Sequence, residues 1–246
     1  MIAWLGMYDM APLRAANDRL WTGIRTALGE GPERLDRDAD PWEVWQSPEL
    51  LLAQTCGMPY RTRLHDAVTL VATPDHGLPG CPPGHYTSVL VVRADAPGAV
   101  PEDFAGGTLA YNEALSQSGW AAPYAYFTER GIGFSHLLRT GAHAASAHAV
   151  AEGRADIAGI DAVTWALLRD HDPVVDALRV IGTTAPTPAL PYITAANRDP
   201  EPLRAALTRA VAALSPADRA ALHLRGIEFL TKSAYLAVPT PPPPAA

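Results

Sequence analysis

Short apolar runs bounded by turn residues alternate with stretches of helical periodicity along the whole chain. Residues 2–8 read as a short buried strand running into Gly6-Met7-Tyr8-Asp9. Pro12 suits a first helical turn, and Leu13, Leu20, Ile24 and Leu28 follow at helical spacing. A polar, turn-rich stretch fills 29–40, and Trp42 and Trp45 then precede the compact run Leu50-Leu51-Leu52-Ala53-Gln54. Residues 68–73 predict another strand, followed by a Gly/Pro loop through Pro83. The run 86–93 (Tyr-Thr-Ser-Val-Leu-Val-Val-Arg) is rich in β-branched residues and gives the clearest strand.

The pattern continues in the second half. A strand over 107–111 leads to a helix lying between Ser118 and Arg130, with two ways of starting it. Either Ser118 is the N-cap and Pro123 falls one turn inside, losing a backbone bond, or Pro123 opens the helix and the serines lie in the loop ahead. Residues 141–152 form an alanine-rich helix closed by Gly153. A strand over 155–160 ends in Asp161, which is placed to cap a helix over 162–169. A strand over 178–182 and a proline-spaced segment over 186–191 lead to Tyr192-Ile193-Thr194. Two helices follow near 202–214 and 216–224, the second with Ser215 as cap and Pro216 at its first position. Residues 227–238 are apolar enough to dock on the core, and the proline-rich tail 239–246 is expected to be disordered. Strands alternating with helices make an α/β protein with largely parallel sheets.

At 246 residues, 48% apolar and 18% charged, the chain can bury a sizeable core as one large domain or two smaller ones. A net charge of −7 argues against nucleic acid or an anionic membrane surface as partner. No apolar run is long enough to span a bilayer, so membrane insertion is not expected. Met1 is followed at once by Ile-Ala-Trp-Leu-Gly-Met-Tyr, without the basic start or long apolar stretch of a secretory signal. The expected location is periplasmic if a signal has been removed and cytoplasmic otherwise. The two cysteines, Cys56 and Cys81, match no metal spacing. A bridge between them would close a loop of about 25 residues, worth roughly 3 kcal/mol; the alternative is two reduced, partly buried thiols.

The most informative chemistry is the run Tyr111-Asn112-Glu113-Ala114-Leu115-Ser116-Gln117-Ser118-Gly119-Trp120. A strand, a hydroxyl-rich turn and a helix start together make an anion seat without a positive side chain. The first helical N–H groups lack internal partners and carry partial positive charge, and short hydroxyls reach the same oxygens. The plainer alternative is a serine that only caps its helix. His136, His143 and His148 do not form a metal site, because His143 and His148 are five apart and point to different helix faces. Ser116, His143 and Asp161 lack the nucleophile elbow of a hydrolase, and no Gly-rich phosphate loop with lysine occurs. The sequence implies no cofactor, no metal and no enzymatic activity.

The ordered set of motifs resembles the phosphate/phosphonate-type substrate-binding proteins of ABC importers. The similarity begins at Leu50-Leu51-Leu52-Ala53-Gln54-Thr55-Cys56-Gly57-Met58-Pro59, Pro79-Gly80-Cys81 and the Tyr86 to Arg93 strand. It continues through Asn112, Ser116-Gln117-Ser118-Gly119, Gly141-Ala142-His143, the segment from Val150 to Asp161 and Thr164-Trp165, and ends at Pro186-Thr187-Pro188-Ala189-Leu190-Pro191.

The resemblance implies a type II periplasmic-binding-protein fold of two α/β lobes joined by two hinge crossings, with ligand clamped in the cleft. Lobe one is then expected over 1–91 plus 190–246 and lobe two over 92–189. Ligands in such folds sit where strand ends meet helix starts, which makes Tyr8, Asp9, Tyr86, Ser116, Gln117, Ser118, His143 and Asp161 the candidate ligand-binding residues. Ser116 and Ser118 would seat the anion, and His143 could donate to it. Asp161 either caps its helix or meets an acidic proton or an amine on the ligand, Tyr86 supplies a hydroxyl or an aromatic wall, and Tyr8, closing the first strand with Asp9, either faces the ligand or is a core aromatic. The implied function is the solute-binding component of an ABC importer for a phosphate-, phosphonate- or related oxyanion-bearing small molecule, with a transporter permease as partner. A cytosolic sensor built on the same clamp is the alternative.

Overall fold

The computed structural model describes residues 1–245. Its strands in chain order are β1 (Ile2–Trp4), β2 (Leu50–Gln54), β3 (Val68–Asp75), β4 (His85–Tyr86), β5 (Ser88–Arg93), β6 (Thr108–Tyr111), β7 (His136–Arg139), β8 (Ile157–Asp161), β9 (Leu178–Thr183), β10 (Thr187–Pro188), β11 (Tyr192–Ala195) and β12 (Gly226–Glu228). The helices are α1 (Arg14–Leu28), α2 (Pro41–Gln46), α3 (Gly57–Pro59), α4 (Ala122–Glu129), α5 (His143–Ala151), α6 (Ala162–His171), α7 (Glu201–Ala212), α8 (Pro216–Ala221) and α9 (Lys232–Leu236). The chain divides into two compact units: Met1–His85 with Pro188–Val238, and Tyr86–Thr187 with the tail from Pro239. These edges come earlier in the chain than 91/92 and 189/190. The reason is β5, which pairs on one side with β8 and on the other with β9, so the whole strand lies inside the second unit.

In the first unit the sheet order is β1-β2-β11-β3-β12. β1 and β2 are parallel, and β11 runs antiparallel between β2 and β3. β2 is buried at every position, as its unbroken apolar run predicts. Its core gathers Trp4, Val44, Trp45, Leu50, Tyr60 and Tyr235. Tyr235 resolves its buried hydroxyl between Thr73 Oγ1 at 2.7 Å and the Ala189 carbonyl at 2.8 Å. In the second unit the order is β7-β6-β8-β5-β9, with β6 parallel to β7 and β8, and β5 antiparallel to β8 and β9. Leu90, Val92, Phe104, Leu109, Trp120, Phe127 and Ile157 form its core. Trp120 also donates its indole N–H to the Pro242 carbonyl of the tail at 3.0 Å.

Several elements depart from the sequence pattern. The first strand stops at Trp4, and Gly6–Tyr8 is a 3₁₀ turn rather than strand. The 86–93 run is interrupted at Thr87, leaving β4 and β5 as separate strands. Among the described residues no helix is long and apolar enough to cross a membrane.

The Cys56–Cys81 bridge weighed from the sequence is not present. Cys56 is buried at the start of α3, whereas Cys81 is half-buried in the loop ahead of β4. Reductant is therefore expected to leave the melting temperature unchanged. In the native protein, alkylation should label Cys81 first and reach Cys56 only on unfolding. A protein in which neither thiol reacts until reductant is added would contradict this placement.

Candidate functional site

The hydroxyl-rich turn of the second unit starts where β6 ends. Ser116, in extended backbone (φ −98°, ψ 127°), caps a wide turn over Gln117–Ala121, and its Oγ accepts from the Gly119 N–H at 2.9 Å. That turn is π-type, with bonds closing five residues back, and it runs directly into α4. The two starts considered for this helix are therefore consecutive. Serine opens the turn, and Pro123 sits in the first turn of the α-helix that follows. In the π pattern the N–H of Pro123 would meet the Ser118 carbonyl, but proline has none. Ser88 Oγ fills the vacancy, donating to the Ser118 carbonyl at 2.8 Å.

Ser88 ties this turn to the sheet. It opens β5 directly opposite Asp161, the last residue of β8. On its other side its N–H donates to Thr184 Oγ1, and its carbonyl accepts from the Thr184 N–H, both at 2.9 Å. Asp161 is 1% exposed, and its Oδ1 accepts from the Val163 and Thr164 N–H groups at 2.8 and 2.9 Å. It is thus the α6 cap that the sequence pattern allowed. Gly159 lets the turn lie flat on β8, because a Cβ there would fall 2.2 Å from Pro123 Cγ.

His143, the first residue of α5, brings a second helix start to the same place. Its Nε2 lies 2.9 Å from Ser118 Oγ. Burial lowers the His143 pKa to about 4, against a smaller opposing pull from the Gly159 carbonyl, so the imidazole is neutral at pH 7. Asn112 packs in the same cluster. A Cβ at Gly119 would stand 1.8 Å from Asn112 Oδ1 and 3.2 Å from His143 Cε1. Arg139, at the end of the neighbouring edge strand, is engaged by Glu113 at 2.6 Å. The result is a buried neutral cluster of hydroxyl, imidazole and helix starts, whose chemistry suits an anion held by hydrogen bonds rather than by a counter-ion.

The structure brings Ser116, Ser118 and His143 together, with Asp161 joined to them through Ser88. Gln117 is buried within the turn and Tyr86 within β4. Tyr8 and Asp9 belong to the first unit. Asp9 accepts from Asn17 Nδ2 at 2.8 Å and from Arg37 Nε at 2.6 Å, so its carboxylate is committed to a salt bridge that holds the loop over 36–39 to α1. That bridge also raises the Arg37 pKa. Tyr8 stacks edge-on against His76, with ring centroids 5.6 Å apart. Ser88 and His76 are the residues that sequence reasoning passed over. Each stands at a strand terminus, Ser88 opening β5 and His76 following β3, and that position is the signal that could have found them.

The family model for the phosphonate periplasmic substrate-binding proteins of ABC transporters matches residues 50–234, a span that includes parts of both units. No curated protein matches the sequence. Among solved structures, PhnD1 from Prochlorococcus marinus in complex with methylphosphonate is similar at a TM-score of 0.75 and 14% identity, over 95% of this chain and 94% of that one. The binding-protein component of an ABC phosphonate transporter from Pseudomonas aeruginosa is similar at 0.70 and 18%, over 92% of this chain and 80% of that one. XAC2383 from Xanthomonas citri, bound to chloride, is similar at 0.70 and 18%, over 95% and 93%. At such identities the likenesses carry the fold, the α/β architecture of periplasmic binding proteins. With the family match over most of its length, the chain belongs to the periplasmic substrate-binding proteins of phosphonate ABC transporters.

Proposed function

We propose that this protein delivers a phosphonate- or related oxyanion-bearing small molecule to an ABC permease by clamping it between its two units. The Ser118–His143 hydrogen bond carries the reading, because it joins two helix starts around one hydroxyl with no cation in the cluster. In this reading Ser116, Ser118 and His143 grip the anion, assisted by the first N–H groups of the turn and of α5. Tyr86 and Gln117 back the seat, and Asp161 positions it through its cap and its strand partner Ser88. Tyr8 closes over the ligand from the first unit, while Asp9 has a structural role. The ligand favours the closed state only through the contacts it gains across both units. The family match speaks for transport rather than for a sensor built on the same clamp.

Calorimetric titration with methylphosphonate and with phosphate tests the reading. Binding is expected, together with a smaller radius of gyration in solution scattering and unchanged helix content. Ser118→Ala should weaken that binding roughly ten- to hundred-fold, because a hydrogen bond to a charged group is worth about 1.5–3 kcal/mol, and should leave the melting temperature nearly unchanged. Wild-type affinity in Ser118→Ala would remove the serine from the site, and an unchanged scattering curve on saturation would rule out the clamp.

A further inference from the structure

The proline-rich end of the chain has a partner. Helix α9 belongs to the first unit, but from Pro239 onward the chain joins the second. It runs to Ala245 without a further helix or strand. There it meets Trp120, whose indole N–H donates to the Pro242 carbonyl at 3.0 Å. Trp120 is 3% exposed and stands between two tyrosines, its ring centroids 5.5 Å from Tyr111 and 5.2 Å from Tyr124. Burial along the tail is periodic as well. Pro241 and Pro244 are half-buried, while Pro242, Pro243 and Ala245 are exposed. A period of three is that of polyproline II, which has three residues per turn and no internal hydrogen bonds.

Each side of this contact supplies what the other lacks. Five of the eight residues over 239–246 are proline, so the tail is rich in carbonyls and poor in N–H groups to satisfy them. Proline also fixes φ, which leaves little backbone freedom to lose on docking. The indole N–H is a donor only, and a buried one needs an acceptor. An extended proline-rich segment laid on aromatic side chains is how proteins recognise polyproline II ligands.

The position of Trp120 gives the contact a consequence. It belongs to the π turn over Gln117–Ala121, the turn that carries Ser118. Its ring packs in the core of the second unit. The turn is closed by the Ala121 N–H on the Ser116 carbonyl at 2.9 Å and by the Ala122 N–H on the Gln117 carbonyl. A hold on Trp120 is therefore a hold on the turn.

We propose that Trp120 and its tyrosine neighbours form a polyproline II recognition surface, that its ligand is the chain's own C-terminal tail, and that the docked tail braces the π turn. The docking is independent of the phosphonate reading, and only its bearing on the anion seat rests on that reading. NMR on the full-length protein tests it. In the wild type the Thr240 amide should have an order parameter above the roughly 0.6 that marks a flexible backbone, and the Trp120 indole proton should exchange slowly with solvent. Pro241→Ala combined with Pro244→Ala strips the half-buried face. It should speed indole exchange about ten-fold and exchange of the Ala121 amide roughly five-fold, the equivalent of one ordinary hydrogen bond. Pro243→Ala, on the exposed side, should match the wild type. Trp120→Phe, checked for folding by its melting curve, should release Thr240 to an order parameter below about 0.6. A flexible Thr240 in the wild type overturns the docking, as does a double variant indistinguishable from the wild type or a Pro243→Ala as damaging as the pair. Faster indole exchange with an unchanged Ala121 amide overturns the brace. No phosphonate enters these measurements, so a protein that fails to bind methylphosphonate would strike the reading of the seat and leave the docked tail standing.

Discussion

Gly119→Ala is expected to weaken phosphonate binding a hundred-fold or more while leaving a folded but less stable protein. The added Cβ would stand 1.8 Å from Asn112 Oδ1 and 3.2 Å from His143 Cε1. Asn112 has little room to retreat, because its carbonyl is bonded to the Gly141 N–H at 2.9 Å and its side-chain oxygen is buried. The turn must therefore lift, and with it the Ser116 cap on Gly119 and the Ser118–His143 bond. Overpacking of this kind costs about 1–3 kcal/mol of stability. Losing two hydrogen bonds to a charged ligand adds about 3 kcal/mol or more of binding energy, roughly a hundred-fold or greater in affinity. Gly133→Ala is the matched control, since a Cβ there meets nothing within 4 Å. Denaturant unfolding and calorimetry with methylphosphonate read the two effects separately. Wild-type affinity in Gly119→Ala would show that the turn does not touch the ligand.

Acid should weaken the protein well before its carboxylates titrate. His76 and His143 both have pKa values lowered by burial to about 4, from an ordinary value of 6.5. The unfolded chain takes up protons at these residues as pH falls below about 6.5, and the folded chain does not until about 4. Their contribution to stability is thus complete above 6.5 and is lost as pH descends through that window. By pH 5 each histidine should have cost about 2 kcal/mol, a large share of the stability of an ordinary domain. Unfolding free energies measured between pH 7.5 and 4.5 should fall with this slope, and replacing either histidine by glutamine should flatten the profile. A constant free energy between pH 7 and 5 would mean that both imidazoles protonate as readily in the folded protein as in the unfolded chain.

Much of the fold could be read along the chain because its helix boundaries are marked by local chemistry. Asp161 ahead of α6, and Ser215 with Pro216 at α8, stand where capping preferences place them. β2 and β5 declare themselves by unbroken apolar and β-branched runs. β7 does not, because it is an edge strand with its His and Arg ends exposed and only two apolar residues between. The turn at Ser116 lay between two readings, since no spacing rule announces a π turn; tertiary contact with Ser88 stabilises it. Within the candidate site, Ser116, Ser118, His143 and Asp161 were legible as hydroxyl, imidazole and carboxylate groups at element ends. The fate of Asp9 was not, because its partner Arg37 comes from a turn-rich stretch with no periodicity to place it.

The interleaving of the two units along the chain also bears on how the protein is made. Every strand of the five-stranded sheet of the second unit lies between Ser88 and Thr183, so that sheet can close as soon as this contiguous stretch has left the ribosome. The first unit cannot finish then. Its central strand, Tyr192–Ala195, is the one that joins β2 to β3, and it is synthesised only after every strand of the second unit's five-stranded sheet. Until it arrives, Leu50–Gln54, buried throughout in the finished protein, presents an unpaired edge of the kind that invites aggregation. Vectorial synthesis should therefore complete the second unit's sheet first, and a nascent chain arrested before Tyr192 should be the species most dependent on a holding chaperone.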